Sequence, residues 1–335
     1  MLAVVAMSAG PVPSRAVREC AACHLAESKP HPATSMAHAM ELPAECSILK
    51  SHPLLTFQDG NYSYRIERKG DESIYTVSDG TQTLTVPIGW AFGLGLAGQT
   101  YVFEKDGEFY ESRVSYFRAR DGLDFTLGAL NHRPANLTEA AGRIMTADDK
   151  VRCFSCHSTD AVEAKKLVLE KLTPGVQCER CHDGAAQHLE AVKRGEAKAA
   201  RIQDPRTFSS EQVSNFCGGC HRTWEQIAAT GILGIADVRF QPYRLTNSRC
   251  YDADDPRIRC TSCHNPHEEI NRTDTAYDSK CQACHAGGKA TARACKVASA
   301  NCASCHMPKI EIPGSHYKFT DHEIRVARAN DPYPD

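Results

Sequence analysis

Alternation of apolar and polar residues is the first regular pattern in the chain, and it occupies residues 54–127. Tyr62, Tyr64 and Ile66 alternate with polar residues, and the same period of two returns at Tyr75 and Val77. This period places apolar side chains on one face of a β-strand. We therefore expect a small antiparallel sheet of four to seven strands here, in a segment without cysteine.

Turn signals separate these apolar runs. Asp106-Gly107 lies between residues 101–105 and 108–112, both rich in aromatic side chains. An Asp-Gly pair between two such runs is typical of a β-hairpin with a type I′ turn. Asp79-Gly80 suggests a second tight turn.

Three glycines in this segment, Gly93, Gly95 and Gly98, match the spacing of the dinucleotide-binding fingerprint. That motif needs a strand before it, a helix after it and an acidic residue about twenty positions on. The residues after Gly98 instead predict a strand. We therefore interpret the glycines as serving bends and close backbone packing, and expect no nucleotide partner.

Composition narrows the class of protein. The 39 Lys and Arg against 41 Asp and Glu give a net charge of −2, which argues against an electrostatic nucleic-acid binder. A hydrophobic content of 41% excludes a disordered chain. No stretch approaches the roughly 20 apolar residues of a membrane helix. Residues 2–9 are apolar apart from Ser8, which suggests either the end of a secretory signal or an N-terminal strand or arm.

Fourteen of the 17 cysteines occur in a Cys-x-x-Cys-His pattern, which is found seven times. This spacing is typical of c-type haem attachment, in which two thiols bind the haem vinyl groups and the adjacent imidazole binds the iron. We number the motifs one to seven in chain order: Cys20, Cys23, His24; Cys153, Cys156, His157; Cys178, Cys181, His182; Cys217, Cys220, His221; Cys260, Cys263, His264; Cys281, Cys284, His285; and Cys302, Cys305, His306.

Zinc ribbons and a disulfide framework are the alternative interpretations of so many cysteines. Zinc ribbons do not require a histidine directly after the second cysteine, yet all seven pairs have one. Thioredoxin-like redox motifs occur singly beside a βαβ pattern that is lacking here. We therefore expect seven covalently attached haem c groups.

Motif spacing predicts the organisation of the chain. A gap of 133 residues follows the first motif, whereas residues 151–322 hold six motifs with fewer than 30 residues per haem. So little polypeptide cannot bury a conventional core, so the haems themselves should form it. The predicted fold is mostly irregular structure and short α-helices around a haem stack, with an inserted small antiparallel sheet. The predicted domains are 1–50 with haem one, the β insertion 51–130, and a hexahaem domain 131–335.

Eight of the 15 histidines lie outside the motifs and are candidates for second axial ligands: His31, His38, His52, His132, His188, His267, His316 and His322. We include all of them except His31 in the predicted ligand set. His267 lies three residues after His264, and three residues span at most about 10 Å. It cannot reach the opposite face of the same haem, and His188 is similarly placed after His182. Each should therefore ligate a neighbouring haem.

Three cysteines lie outside the motifs, namely Cys46, Cys250 and Cys295. No histidine follows them at motif spacing, so we expect no eighth haem. Cys250 and Cys295 flank motifs five to seven, where a disulfide or two buried thiols are the alternatives.

Several arginines near the motifs are candidate partners of the haem propionates, with solvent-exposed side chains as the alternative: Arg152, Arg180, Arg222, Arg244 and Arg259.

Residues 18–40 and 130–328 resemble the multihaem cytochromes c. The resemblance is carried by Cys-Glu-Arg-Cys-His-Asp-Gly with His188, by Cys-Thr-Ser-Cys-His-Asn-Pro-His267, by Cys-Ala-Ser-Cys-His306-Met-Pro-Lys, and by the tail from His316 to His322. The relevant branch runs from the tetrahaem partner of hydroxylamine oxidoreductase to pentahaem nitrite reductase and the octahaem reductases. Ser35-Met-Ala-His38 is similar to the distal-ligand motif of this group.

Departures from that group weaken an enzymatic interpretation. Pentahaem nitrite reductases carry lysine in place of the motif histidine at the catalytic haem, whereas all seven motifs here end in histidine. No tyrosine placement suggests the haem crosslink of hydroxylamine oxidoreductase.

The residues favour an electron carrier with mostly bis-His haems over an enzyme, and no catalytic residue is predicted. The alternatives are a reductase of a nitrogen or sulfur oxide or oxyanion at one open haem, and a subunit of an extracellular conductive filament. Redox proteins are the expected partners, with a homo-oligomer or filament as a further option. All three interpretations place the protein in the periplasm or outside the cell, because haem attachment occurs beyond the inner membrane.

Overall fold

The computed structural model describes residues 19–196, 201–286 and 295–328. Residues 2–9, with the apolar stretch at the N-terminus, lie outside these ranges. Within them the strands are β1 Met40–Glu41, β2 Leu54–Asp59, β3 Tyr62–Lys69, β4 Glu72–Ser78, β5 Thr83–Phe92, β6 Gln99–Lys105, β7 Glu108–Phe117, β8 Gly122–Phe125, β9 Gly142–Ile144, β10 Ser158–Thr159, β11 Val162–Glu163, β12 Lys166–Leu167, β13 Thr173–Pro174, β14 Lys309–Glu311 and β15 Lys318–Thr320.

The α-helices are all short. They are α1 Leu25–Ser28, α2 Ser47–Ser51, α3 Leu137–Ala141, α4 Ala147–His157, α5 Cys178–Cys181, α6 Ala185–Lys193, α7 Ser210–His221, α8 Trp224–Ala228, α9 Gln241–Thr246, α10 Cys260–Cys263, α11 Asp278–His285 and α12 Cys302–His306. Short 3-10 turns occur at His31–Ala33, Arg118–Arg120, Ala129–Asn131, Leu169–Lys171, Pro205–Thr207 and Gly234–Asp237. No helix in the described ranges is long and apolar enough to cross a bilayer.

One antiparallel sheet dominates the N-terminal half. Strands β2 to β8 pair in chain order, while β1 pairs with β5 and β9 pairs with β7. The hairpin between β6 and β7 is confirmed: Lys105 pairs with Glu108, and Asp106 and Gly107 both have positive φ, as a type I′ turn requires. The predicted strand after Gly98 is also confirmed as β6.

The sheet curls until its ends approach each other. The ring of Phe57 on β2 meets the ring of Phe125 on β8 edge to face, with centroids 5.1 Å apart. The alternating apolar residues fill the interior, where Tyr64, Tyr75 and Tyr101 are almost entirely buried. Side chains of one face thus close on one another and form a conventional hydrophobic core.

The glycines that match the dinucleotide fingerprint form the loop between β5 and β6. Gly93, Gly95 and Gly98 all have positive φ. A Cβ on Gly93 would lie 2.6 Å from the carbonyl oxygen of Gly98, so the loop requires glycine there. Strands precede and follow the loop, and no helix begins at it.

The predicted fold class is wrong in its balance of structure. The described residues are about 34% helix and 24% strand, and the sheet of nine strands is the largest element. Two of its strands, β1 and β9, come from outside residues 51–130. The prediction was wrong because it rested on the small number of residues per haem motif, which holds only after residue 150. The long segment between motifs one and two has enough residues to bury a hydrophobic core of its own.

Aromatic side chains join the sheet to the helix that carries motif two. Phe154 of α4 is fully buried, and its ring lies edge-on to Phe92 at 5.2 Å and to Trp90 at 5.3 Å. At the start of α4, Thr146 and Asp149 form a capping box. The sheet is therefore the support on which motif two is held.

Candidate haem-binding sites

Each Cys-x-x-Cys-His motif forms one turn of helix. Motifs two to seven coincide with, or directly end, the short helices α4, α5, α7, α10, α11 and α12. Motif one makes the same turn, because the amide nitrogen of His24 lies 2.9 Å from the carbonyl oxygen of Cys20. Helical positions i, i+3 and i+4 share one face, so both thiols and the imidazole project to the same side. A planar group bound by both thiols lies across that face.

Four of the motif imidazoles are oriented by hydrogen bonds at their Nδ1 atoms. Nδ1 of His157, His182 and His306 lies 2.9, 3.0 and 2.8 Å from the backbone carbonyl oxygens of residues 39, 203 and 325. Nδ1 of His264 lies 3.3 Å from the hydroxyl of Tyr277. A carbonyl acceptor at Nδ1 fixes the proton there and leaves Nε2 as a lone-pair donor for a metal.

Three motif imidazoles face a histidine from another part of the chain. The ring centroids of His24 and His188 are 6.3 Å apart, and those of His182 and His267 are 6.1 Å apart with the rings almost parallel. The third pair is His264 of motif five and His322, whose ring centroids are 6.2 Å apart.

These distances test whether the residues fit a haem iron. Consider two imidazoles that bind one metal ion from opposite sides. With a metal–nitrogen bond of about 2.0 Å and a ring centre about 1.1 Å beyond the nitrogen, their centroids are roughly 6.2 Å apart. All three pairs match this value, so the side chains present fit a bis-imidazole haem. Among the described residues no three His, Cys, Asp or Glu side chains converge to bind a metal ion directly.

Desolvation keeps several of these imidazoles neutral. Burial lowers the pKa of His264 and His267, and it lowers the pKa of His322 to about 4. Only the neutral ring binds a metal, so at neutral pH these histidines are ready to bind one.

Four other predicted ligands hydrogen-bond to protein oxygens instead of facing a motif histidine. Nε2 of His52 lies 2.9 Å from Asp121, that of His132 3.0 Å from Glu139, and that of His316 3.0 Å from Asp124. His38 contacts the carbonyl oxygen of residue 32 through Nε2 and Glu41 through Nδ1, and the hydrogen bond to Glu41 raises its pKa. His31, which we left out of the ligand set, is buried, and burial lowers its pKa.

Neighbouring motifs touch through their cysteine side chains. The pairs in contact are Cys20 and Cys178, Cys156 and Cys220, Cys217 and Cys260, and Cys281 and Cys302. These contacts join motif one to three, two to four, four to five, and six to seven.

The three cysteines outside the motifs are free thiols in the structure, so the disulfide considered between Cys250 and Cys295 is not formed. Both of these side chains are exposed, unlike Cys46, which is fully buried and donates to the amide oxygen of Gln99 at 3.3 Å. Burial raises the pKa of Cys46 to about 11.

Sequence reasoning missed the residues that orient the motif imidazoles. Most of them contribute a backbone carbonyl, which no side-chain pattern reveals. Arg244, considered as a propionate partner, is fully buried against Asp321, and the two form a bidentate ion pair with nitrogen–oxygen distances of 2.9 and 3.1 Å. Asp321 directly precedes the candidate ligand His322, and that adjacency is the signal available in the sequence.

Comparison with known proteins gives three findings. Residues 128–183, which contain motifs two and three, match the family model described as cytochrome c554 and c-prime. No curated protein matches the chain. The crystal structure of the outer cell wall cytochrome OcwA is similar in fold, with a TM-score of 0.53 and 12% identity over 92% of this chain and 78% of that one. The family match, over residues that contain motifs two and three, supports a cytochrome c with covalently bound haem, and the likeness to OcwA concerns the fold.

Proposed function

We propose that this protein is a heptahaem cytochrome c that transfers electrons along a chain of closely packed haems, at least three of them with two histidine ligands. The observation that carries the proposal is the set of three imidazole pairs at 6.1–6.3 Å. An iron with both axial positions filled has no open position for a substrate, which suits electron transfer. The haem supplies one-electron chemistry between ferric and ferrous iron.

The chain's own residues hold and tune these groups. Cysteine pairs would hold each haem on a helical turn, and each of the three imidazole pairs would bind the iron of one haem. A hydrogen bond from Nδ1 makes Nε2 of a motif imidazole a stronger electron-pair donor to iron. This favours ferric iron and so lowers the reduction potential of the haem. We infer that His188, His267 and His322 serve haems one, three and five.

Contacts between motifs support an order of the haems in space. Cysteine contacts link motif one to three, four to five and six to seven, while Cys181 lies near motif four and Cys263 near motif six. We propose the order one, three, four, five, six, seven, with haem two attached beside haem four through Cys156 and Cys220. In this order the motifs at the ends of the chain of contacts are one, two and seven, where electrons would enter and leave.

We also propose that the protein works outside the cytoplasm, in the periplasm or beyond it. Cytochrome OcwA, which is similar in fold, is an outer cell wall protein. Redox proteins are the partners that this function requires.

The test combines mass spectrometry, low-temperature EPR and near-infrared magnetic circular dichroism of the oxidised protein. We expect a mass equal to the polypeptide plus seven haems, and low-spin signals with two nitrogen ligands. His188→Gln should convert one haem to a different ligation state. The matched variant His132→Gln should not, because that imidazole is exposed and binds Glu139. An unchanged spectrum in His188→Gln contradicts the proposed ligation.

A second candidate function is reduction of a nitrogen or sulfur oxide or oxyanion at a haem with an open position. It requires that at least two of the eight non-motif histidines are not ligands. Four of them have Nε2 bound to protein oxygens, and in the described part of the chain no second imidazole faces His157, His221 or His306 at the distance of the three pairs. A high-spin signal of about one haem in seven that shifts on adding nitrite or cyanide would favour this function over electron transfer alone.

A further inference from the structure

The tail of the protein carries one candidate ligand between two buried carboxylates. Asp321 is fully buried, Glu323 is largely buried, and His322 lies between them with its ring facing His264. Isolated charges are rarely buried without a partner, because leaving water is costly for them. Their partner therefore determines where this segment lies.

That partner is Arg244, on helix α9. Its Nε and Nη2 donate to the two carboxylate oxygens of Asp321, and Nη2 also lies 2.8 Å from Glu323. Arg244 is itself fully inaccessible to solvent. A planar guanidinium that binds one carboxylate through two nitrogens fixes both the distance and the orientation of that carboxylate, which a lysine cannot do.

Two further contacts anchor the same segment. The hydroxyl of Ser248, just after α9, donates to the carbonyl oxygen of His322 at 2.8 Å and accepts from the amide of Ile324 at 2.8 Å. Arg325 donates to Asp321 at 2.6 Å, and its carbonyl oxygen lies 2.8 Å from Nδ1 of His306. The backbone on both sides of His322 is therefore held, while its Nδ1 lies 3.0 Å from the carbonyl oxygen of residue 320.

We propose that Arg244 is a positioning residue for the second axial ligand of haem five. It acts through Asp321 and Glu323, which hold His322 opposite His264, and it contributes no ligand itself. This inference rests on the proposed function, because it assumes that His322 binds the iron of haem five. Loss of Arg244 leaves two buried carboxylates with one cation, Arg325, so the segment is expected to move towards solvent and to withdraw His322.

The experiment compares Arg244→Gln with Arg206→Gln in the complete haem-loaded protein. Arg206 forms the same bidentate contact, with Asp204, but its side chain is 89% exposed. We expect Arg244→Gln to lose the low-spin bis-imidazole signal of haem five, the same signal that His322→Ala loses, while Arg206→Gln keeps it. The double variant should lose no further signal, since both changes act on one haem.

A merely structural role is distinguished by rescue. Millimolar imidazole should restore the low-spin signal in Arg244→Gln, because the haem pocket remains and only the ligand has moved. If Arg244→Gln does not fold, Ser248→Ala tests the same segment and should shift the midpoint potential of that haem alone. Unchanged bis-imidazole signals and potentials in these variants overturn the inference, whereas the lack of bis-imidazole signals in the wild type overturns the proposed function instead.

Discussion

Replacing Phe154 by alanine should remove much of the stability that joins the sheet to motif two. The side chain is fully buried, and its ring contacts Trp90, Phe92 and Phe109 at centroid distances of 5.3, 5.2 and 6.3 Å. Truncation of a buried phenylalanine to alanine costs about 3–5 kcal/mol, because apolar burial is lost and a cavity remains. That is a large share of the roughly 5–15 kcal/mol of a typical domain.

Equilibrium urea unfolding followed by far-ultraviolet circular dichroism measures this loss. Phe154→Leu should cost less, about 1–2 kcal/mol, because most of the volume is kept. The control is Phe57→Ala, which removes a half-buried aromatic contact between β2 and β8. It should lower the free energy of unfolding by less than Phe154→Ala does. A free energy of unfolding of Phe154→Ala within about 1 kcal/mol of the wild type would refute the packing described here.

Two further predictions concern titratable groups. Iodoacetamide at neutral pH should alkylate Cys250 and Cys295 in the native protein but not Cys46, which is buried with a raised pKa; labelling of Cys46 before unfolding would contradict its placement. For Asp149, partial burial alone would raise the pKa, yet hydrogen bonds from Arg143 and other neighbours lower it below the unfolded value of about 3.9. Its stabilising contribution is therefore present above about pH 4 and is lost as the pH falls below that value, so the difference in unfolding free energy between wild type and Asp149→Asn should shrink from pH 6 to pH 3. A constant difference would show that this carboxylate is not specially stabilised.

Local signals made part of the fold predictable. The Asp106-Gly107 turn depends on neighbouring residues and was predicted from the sequence. Strands β1 and β9 were not predictable, because two or three residues carry no period and pair only with partners far away in the chain. The weight of the sheet in the whole fold was missed for a different reason, because the low ratio of residues to haems after residue 150 was taken to describe the whole chain.

The candidate ligands, too, were predictable only where neighbouring residues decide their role. The short distance that a few residues can span predicted that His188 and His267 do not pair with the motif histidine that each of them follows. Which imidazole each of them faces depends on the fold, and so does the competition for His52 by Asp121, which lies far along the sequence. A histidine count alone could not separate the rings that face a motif from those that bind a carboxylate.

The imidazole pairs also bear on biogenesis. Each pair closes a long loop, since His24 meets His188 across the whole sheet, and His264 meets a residue of the tail. Long loops close slowly, so under the proposed ligation the covalent attachment of a haem and the completion of its ligand set would be separate events in time. A chain cut before residue 322 would keep all seven attachment motifs and still lack a ligand. If His322 binds haem five as proposed, complete ligation of that haem would report that residue 322 has been synthesised and has docked opposite His264.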